Sequence, residues 1–200
     1  MSRSSFPAAA ALFGASIAAL QAAPAGAFEI EHSATRYADR RYQCEMSVRL
    51  DAPPDKVEAV LRDYEHYPSL NTHILQARVL ERPEPNIVML ETTLRVCVGG
   101  FFCRNVTRVE RVEESQLALA AKADPSRSDV KFGETHTQLA PDERGGTLVT
   151  YRTSITPGFW VPSVLGRRWM LRTLEDATGD LFMNVETKAQ EQGEEKAASN

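Results

Sequence analysis

Leu50-Asp51-Ala52-Pro53-Pro54-Asp55-Lys56-Val57-Glu58-Ala59-Val60-Leu61-Arg62-Asp63-Tyr64-Glu65-His66-Tyr67-Pro68 is the stretch on which the fold turns. A strand runs into it. Tyr42, Cys44, Met46, Val48 and Leu50 alternate with Arg41, Gln43, Glu45, Ser47 and Arg49, the period-two pattern of a half-buried strand. Pro53 and Pro54 stop that strand. Pro54 suits the first turn of a helix, where its missing N–H costs little. Val57, Val60 and Leu61 then share one helical face. Tyr64, Tyr67 and Leu70 continue as a second short helix, interrupted at Pro68.

Further along, alternation returns with turn punctuation. Leu75, Ala77 and Val79 mark one strand, followed by the turn Arg82-Pro83-Glu84-Pro85-Asn86. Val88, Leu90, Thr92, Leu94 and Val96 mark the next. Phe101 to Val112, Leu117 to Ala121, Val130 to Leu139 and Thr147 to Ile155 supply four more, and short turns between them predict an antiparallel meander. The chain then turns helical, with Ser163 as a plausible N-cap. Met170, Leu174, Ala177, Leu181 and Val185 recur at steps of four, three, four and four, widened by Leu171, Thr178 and Phe182. A helix with so broad an apolar face requires a matching concave surface.

The strand, the proline-started helix, the D-Y-E-H-Y-P turn at Asp63–Pro68, the meander and the final helix resemble the START-like superfamily (SRPBCC, polyketide cyclase/dehydrase), over roughly Tyr42 to Thr187. The D-Y-x-x-Y-P turn is similar to that of its coenzyme-Q-binding branch. The resemblance implies an α+β helix-grip fold, with a curved antiparallel sheet of about seven strands wrapped around the long C-terminal helix. It implies an apolar cavity between sheet and helix that takes a hydrophobic, lipid-like small molecule, an isoprenoid quinone being one such ligand. The residues expected to line it are Tyr67, Leu75, Leu90, Leu94, Phe132, Tyr151, Phe159, Trp160, Met170 and Leu174, with Val88 and Phe182 also facing inward. Each of these, taken singly, reads more simply as ordinary core, and only the fold argues that some of them line a pocket.

Ile155-Thr156-Pro157-Gly158-Phe159-Trp160-Val161-Pro162 places two large aromatics on a loop. The resemblance puts this segment at the cavity mouth, as a gate or a lip that touches membranes. The plainer reading is a plug packed on Tyr67 and Leu70. Arg167, Arg168 and Arg172 follow, able to meet anionic headgroups in transient contact with a membrane surface or simply to form a solvated helix face.

The N-terminus reads as an export leader: Arg3, an apolar run from Ala8 to Leu20, and an A-x-A cleavage site at Ala25-Gly26-Ala27, with Phe28 as the mature start. The expected layout is a cleaved signal peptide over 1–27, a START-like domain over 28–188 and a disordered polar tail over 189–200. The location expected is the periplasm. The full chain carries a formal charge of −4, and its leader contains one charge, Arg3, so cleavage gives −5. That balance argues against nucleic acid as a partner. Of three cysteines, Cys97 and Cys103 flank a Gly-Gly hairpin tip and are expected to form a disulfide if they lie directly opposite, the alternative being unlinked thiols. Cys44 is expected to be a buried free thiol. No metal site is expected, because no histidine joins the cysteines at metal spacing.

No nucleophile, phosphate-loop or dinucleotide motif is present. Glu134 and His136 share a strand face and would make an acid–base pair if turned inward, but a solvent-facing pair is the simpler reading. Arg104 and Arg108 turn inward if Cys97 and Cys103 point outward, and Arg104 is a candidate headgroup contact. The sequence supports a binding protein without a cofactor ahead of a cyclase or dehydrase, with a structural or stress module as the third alternative.

Overall fold

The alternation from Arg41 to Leu50 forms a strand whose even-numbered residues are buried and whose odd-numbered ones are half-buried. The structure is a computed structural model, and it describes residues 28–98, 102–161 and 165–198. The proposed leader, the Gly-Gly tip and Ser163 lie outside the described residues. The elements are β1 (Glu29–Ala38), β2 (Arg41–Leu50), α1 (Pro54–Arg62), a single 3-10 turn (Tyr64–His66), α2 (Tyr67–Leu70), β3 (Ile74–Glu84), β4 (Ile87–Val98), β5 (Phe102–Ser115), β6 (Ala118–Ala123), β7 (Val130–Pro141), β8 (Thr147–Pro157) and α3 (Leu165–Ala198).

The strands form one antiparallel sheet in the order β1-β2-β8-β7-β6-β5-β4-β3. It has eight strands rather than about seven. The additional one, β1, is a mostly exposed edge strand and so lacks a clean alternation of apolar residues. It joins β2 through Asp39 and Arg40, both at positive φ (52° and 60°), the geometry of a tight hairpin.

Proline-started α1 behaves as its stripe requires. Pro53 is the extended N-cap, and Val57, Val60 and Leu61 are buried. Helix α3 lies in the concave face of the sheet. Its Phe182, Val185 and Ala189 join Met46, Val48 and Leu50 of β2 and the α1 stripe in the main core. Polar side chains fix its position: Asn71 Nδ2 donates to Ala177 O at 2.9 Å, and Asn184 Nδ2 donates to Leu70 O at 2.9 Å. Glu186 Oε1 accepts the Asp51 N–H. The helix also continues beyond the boundary expected at 188, through Ala198. Ala189 is buried and Gln190 Nε2 donates to Asp51 O, so the first two residues past that boundary are held against the β2–α1 corner. No described helix is long and apolar enough to cross a membrane.

Cys97 and Cys103 are directly opposed across β4 and β5 and form a disulfide. Cys44 is free and buried, and burial pushes its thiol up to about 11. A raised thiol pKa leaves it protonated and unreactive at neutral pH. Thiol titration without reductant should therefore find one reactive thiol per chain in denaturant and essentially none in native protein at pH 8. The bridge closes a short loop and should contribute on the order of 2 kcal/mol. Three thiols in denaturant would contradict the disulfide.

Candidate functional site

Strand β5 positions the polar part of the inner face. Its residues Val106, Arg108, Glu110 and Val112 point toward α3, with Val106 and Val112 in buried apolar clusters. Between them, Arg108 Nε approaches Glu110 Oε2 at 2.9 Å, and the Glu110 side chain is only 3% exposed. This is a charge contact without hydrogen-bond alignment. Arg108 Nε and Glu110 Oε1 are both buried without a hydrogen-bond partner among the described residues.

Two chambers share the Arg108 side of this pair. The deeper one, about 110 Å³, has walls that include Tyr67, Leu90, Tyr151 and Phe182 along with both charged residues. The outer one, about 130 Å³, is almost wholly apolar, with Leu94, Val106, Ile155, Phe159, Met170 and Leu174 around it. Arg108 lines both. A cavity near 150 Å³ accommodates a single benzene ring, so each chamber suits about one ring or a short chain segment.

The phenols of the deeper chamber stay protonated. Burial is the main cause that raises Tyr67, and the neighbouring Glu110 carboxylate raises it further. Burial likewise raises Tyr151, although Arg108 opposes the shift. Tyr67 donates its hydroxyl to Leu61 O at 2.6 Å. Tyr64 donates to Glu114 Oε1 at 2.7 Å, and the two tyrosine rings meet edge to face. The two tyrosines of the D-Y-E-H-Y-P turn thus brace one end of the chamber. Tyr151 meets Phe182 of α3 edge to face, with centroids 5.5 Å apart.

The structure brings together Tyr67, Leu90 and Tyr151 in the deeper chamber and Leu94, Phe159, Met170 and Leu174 in the outer one. It does not bring in the other three expected residues. Leu75 is 45% exposed because an irregularity between Ile74 and Gln76 shifts the register, and Ile74 faces the cavity instead. Phe132 follows a bulge after Val130, which turns it to the outer face, where its ring lies beneath the Arg41 guanidinium at 3.9 Å. Trp160 is 81% exposed and lines neither chamber. Arg104 is also outside: it is exposed and stacks over Phe159 at 4.6 Å. Glu134 and His136 are on the outer face, 3.8 Å apart and solvent-accessible.

That outer face holds a further concavity of about 170 Å³, bordered by Arg36, Gln43, Glu45, Glu134, His136 and Arg152. Its charges already have partners: Arg152 pairs with Glu45 and Arg36 bonds Gln43. Its charged rim is paired, while Ser154 Oγ in its lining is buried without a hydrogen-bond partner among the described residues. Sequence reading missed Glu110 as a site residue, along with Ile74, Val106 and Ile155.

At the mouth, Gly158 donates to Asp129 O at 2.8 Å, and a Cβ there would sit 2.5 Å from that oxygen. Only glycine fits this close approach, which fixes where the loop leaves β8. Phe159 then packs on Val106, Ala123 and Val130 rather than on Tyr67 and Leu70.

The model of the polyketide cyclase/dehydrase and lipid transport family matches residues 41–186. No curated protein matches the chain in sequence. Among solved structures, a STAR-related lipid transfer protein from Xanthomonas axonopodis is similar in fold, with a TM-score of 0.61, 16% identity and coverage of 82% of this chain and 99% of that one. A START superfamily protein from Mycobacterium smegmatis gives 0.59 at 17% identity, over 75% of this chain and 98% of that one. The Zhui aromatase/cyclase from Streptomyces sp. R1128 gives 0.57 at 16% identity, over 75% and 94%. At these identities the likeness is one of fold.

The two aromatics of the loop after β8 differ in burial and should differ in energetics. Phe159→Ala should cost about 1–3 kcal/mol and lower the melting temperature by several degrees, whereas Trp160→Ala should change stability by less than about 0.5 kcal/mol. Equal losses in thermal melts would mean that Trp160 is packed in solution.

Proposed function

Because the chain belongs to the polyketide cyclase/dehydrase and lipid transport family, we propose that it is an exported binding protein for a lipid-like molecule with one polar end. The observation that carries this reading is the pair of chambers meeting at Arg108, one apolar and one with a charged, hydroxyl-bearing wall. The apolar part of a ligand gains about 25 cal/mol per Å² buried, so roughly 200 Å² supplies about 5 kcal/mol. The polar end is held by Arg108 and its surroundings. An isoprenoid quinone, whose reduced ring carries hydroxyls above an apolar tail, has this composition. The D-Y-E-H-Y-P turn, whose Tyr67 lines the deeper chamber, favours a ligand of that kind.

Export is supported by the leader sequence and by the Cys97–Cys103 disulfide, which suits an oxidising compartment. Ligand exchange at a membrane surface is supported by Trp160 ahead of α3 and Leu165 at its first position, 81% and 82% exposed, and by exposed Arg168 and Arg172 beyond them. Indole and guanidinium groups suit the interface with anionic headgroups.

A cyclase or dehydrase is the second reading, favoured by the buried Arg108–Glu110 pair beside two tyrosines. The direction of the tyrosine shifts weighs against it. Phenols raised by burial hold their protons through the neutral range, so they serve as hydrogen-bond donors rather than as proton carriers.

Protein purified gently from its native envelope should release, on solvent extraction, a near-stoichiometric apolar molecule detectable by mass spectrometry. Extracts empty across several mild preparations would move the reading to the enzyme. Trp160→Ala should slow transfer of a quinol probe from anionic vesicles severalfold without altering thermal melting. Unchanged transfer would remove the membrane lip.

A further inference from the structure

Glu110 is unusual among the cavity residues in what it lacks. Its side chain is 3% exposed, one oxygen lies against Arg108 Nε, and Oε1 has no donor among the described residues. It lines the deeper chamber between Arg108 and the apolar wall of Leu90 and Val112. A buried carboxylate oxygen with no donor carries the full penalty of its lost hydration, which is why such groups are few in folded proteins. Three neighbouring hydroxyls are committed elsewhere, and the Tyr151 hydroxyl, which lines the same chamber, makes no hydrogen bond to Glu110 Oε1. Tyr67 donates to Leu61 O, Tyr64 to Glu114, and Thr92 Oγ1 to Arg108 O at the long distance of 3.5 Å.

We infer that Glu110 Oε1 is a ligand contact that accepts a hydrogen bond from a hydroxyl, and that the protein selects neutral amphiphiles ending in an O–H over analogues whose polar end can only accept. The inference rests on the proposed binding function and specifies its ligand class. A carboxylate end is disfavoured, because it brings no donor and a second negative charge to Glu110. An ammonium end is disfavoured by Arg108. A neutral hydroxyl satisfies both partners, donating to Glu110 and accepting from the guanidinium, and leaves the tail for the chamber of Leu94, Met170 and Leu174. For a ligand existing in a hydroxyl and a carbonyl form, the hydroxyl form is the one retained. A group that cannot donate enters the chamber without relieving Glu110, and a site built around a buried polar atom rejects such analogues strongly.

The test uses a matched pair, 4-nonylphenol and its O-methyl ether, which share a tail and differ in the donor. Affinities are measured by calorimetry on the wild-type protein and on Glu110→Gln. The wild type should bind the phenol at least tenfold more tightly than the ether, the range of one hydrogen bond to a charged group. In Glu110→Gln the ratio should fall to threefold or less, chiefly through weaker phenol binding, with the ether little changed. Equal affinities in the wild type would overturn hydroxyl selection while leaving the binding function intact. Absence of binding by both would overturn the binding function and this inference together. The wild-type ratio decides even if Glu110→Gln does not fold, and an unchanged ratio in a folded variant would show that the selectivity does not come from Glu110.

Discussion

One helix cannot cover this sheet. Eight strands spaced about 4.8 Å apart span more than 30 Å, while a helix with its side chains is 10–12 Å across. Helix α3 covers the part near β1 and β2, where Phe182, Val185 and Ala189 complete a filled core with α1. Tyr64 and Tyr67 fill the space over Val88 and Val112, and the rest of the inner face of β4 and β5, with parts of β7 and β8, forms walls without a filling. The sheet curves around that deficit, with register irregularities in β1, β3 and β7. The chambers are therefore a consequence of the layer arithmetic, and the residues that line them were free to be chosen for something other than packing.

The choice made on β5 is costly for stability alone. Glu110 is buried and Arg108 half-buried, so the carboxylate above all is taken from water, and an apolar pair of similar size is often as stable or more so. Here the Arg108–Glu110 contact lacks hydrogen-bond alignment and leaves one oxygen bare, so even the usual compensation is incomplete. The proposed recognition of a ligand's polar end accounts for a polar group kept under these terms at a cavity wall. Around it, Tyr67 and Tyr151 are held neutral by burial, and the outer chamber is apolar. The gradient from charged wall to apolar mouth is the physical basis for assigning the polar end of a ligand to the inside and its tail to the exit.

Much of this was legible in the sequence, and the failures have local causes. Strand β2, the proline-started α1, the meander and the stripe of α3 are long periodic signals, and they fold as read. The opposed cysteines followed from their places around a Gly-Gly tip. Leu75 and Phe132 were misplaced because bulges reverse the facing of a strand by one residue, and nothing in Leu75-Gln76-Ala77 or Val130-Lys131-Phe132 announces a bulge. Strand β1 was missed because an edge strand need not alternate. The Glu110 site was hidden by Val106, Val109 and Val112, whose spacing of three obscures the period of two. Val109 is buried although it faces away from the chamber, where its backbone bonds Asp124 and Ser128. Trp160 and Phe159 looked equivalent because sequence does not record that Phe159 alone meets Val106 and Val130.

The central claim is that the inner chambers, and not the outer-face groove, hold the ligand. A crystal structure of protein isolated with its native ligand tests it most directly. The account predicts continuous density from Glu110 and Arg108 past Leu174 toward Phe159, with its polar end at the charged pair. Density confined to the groove of Arg36, Glu45 and Arg152, or inner chambers closed by repacked side chains, would contradict it.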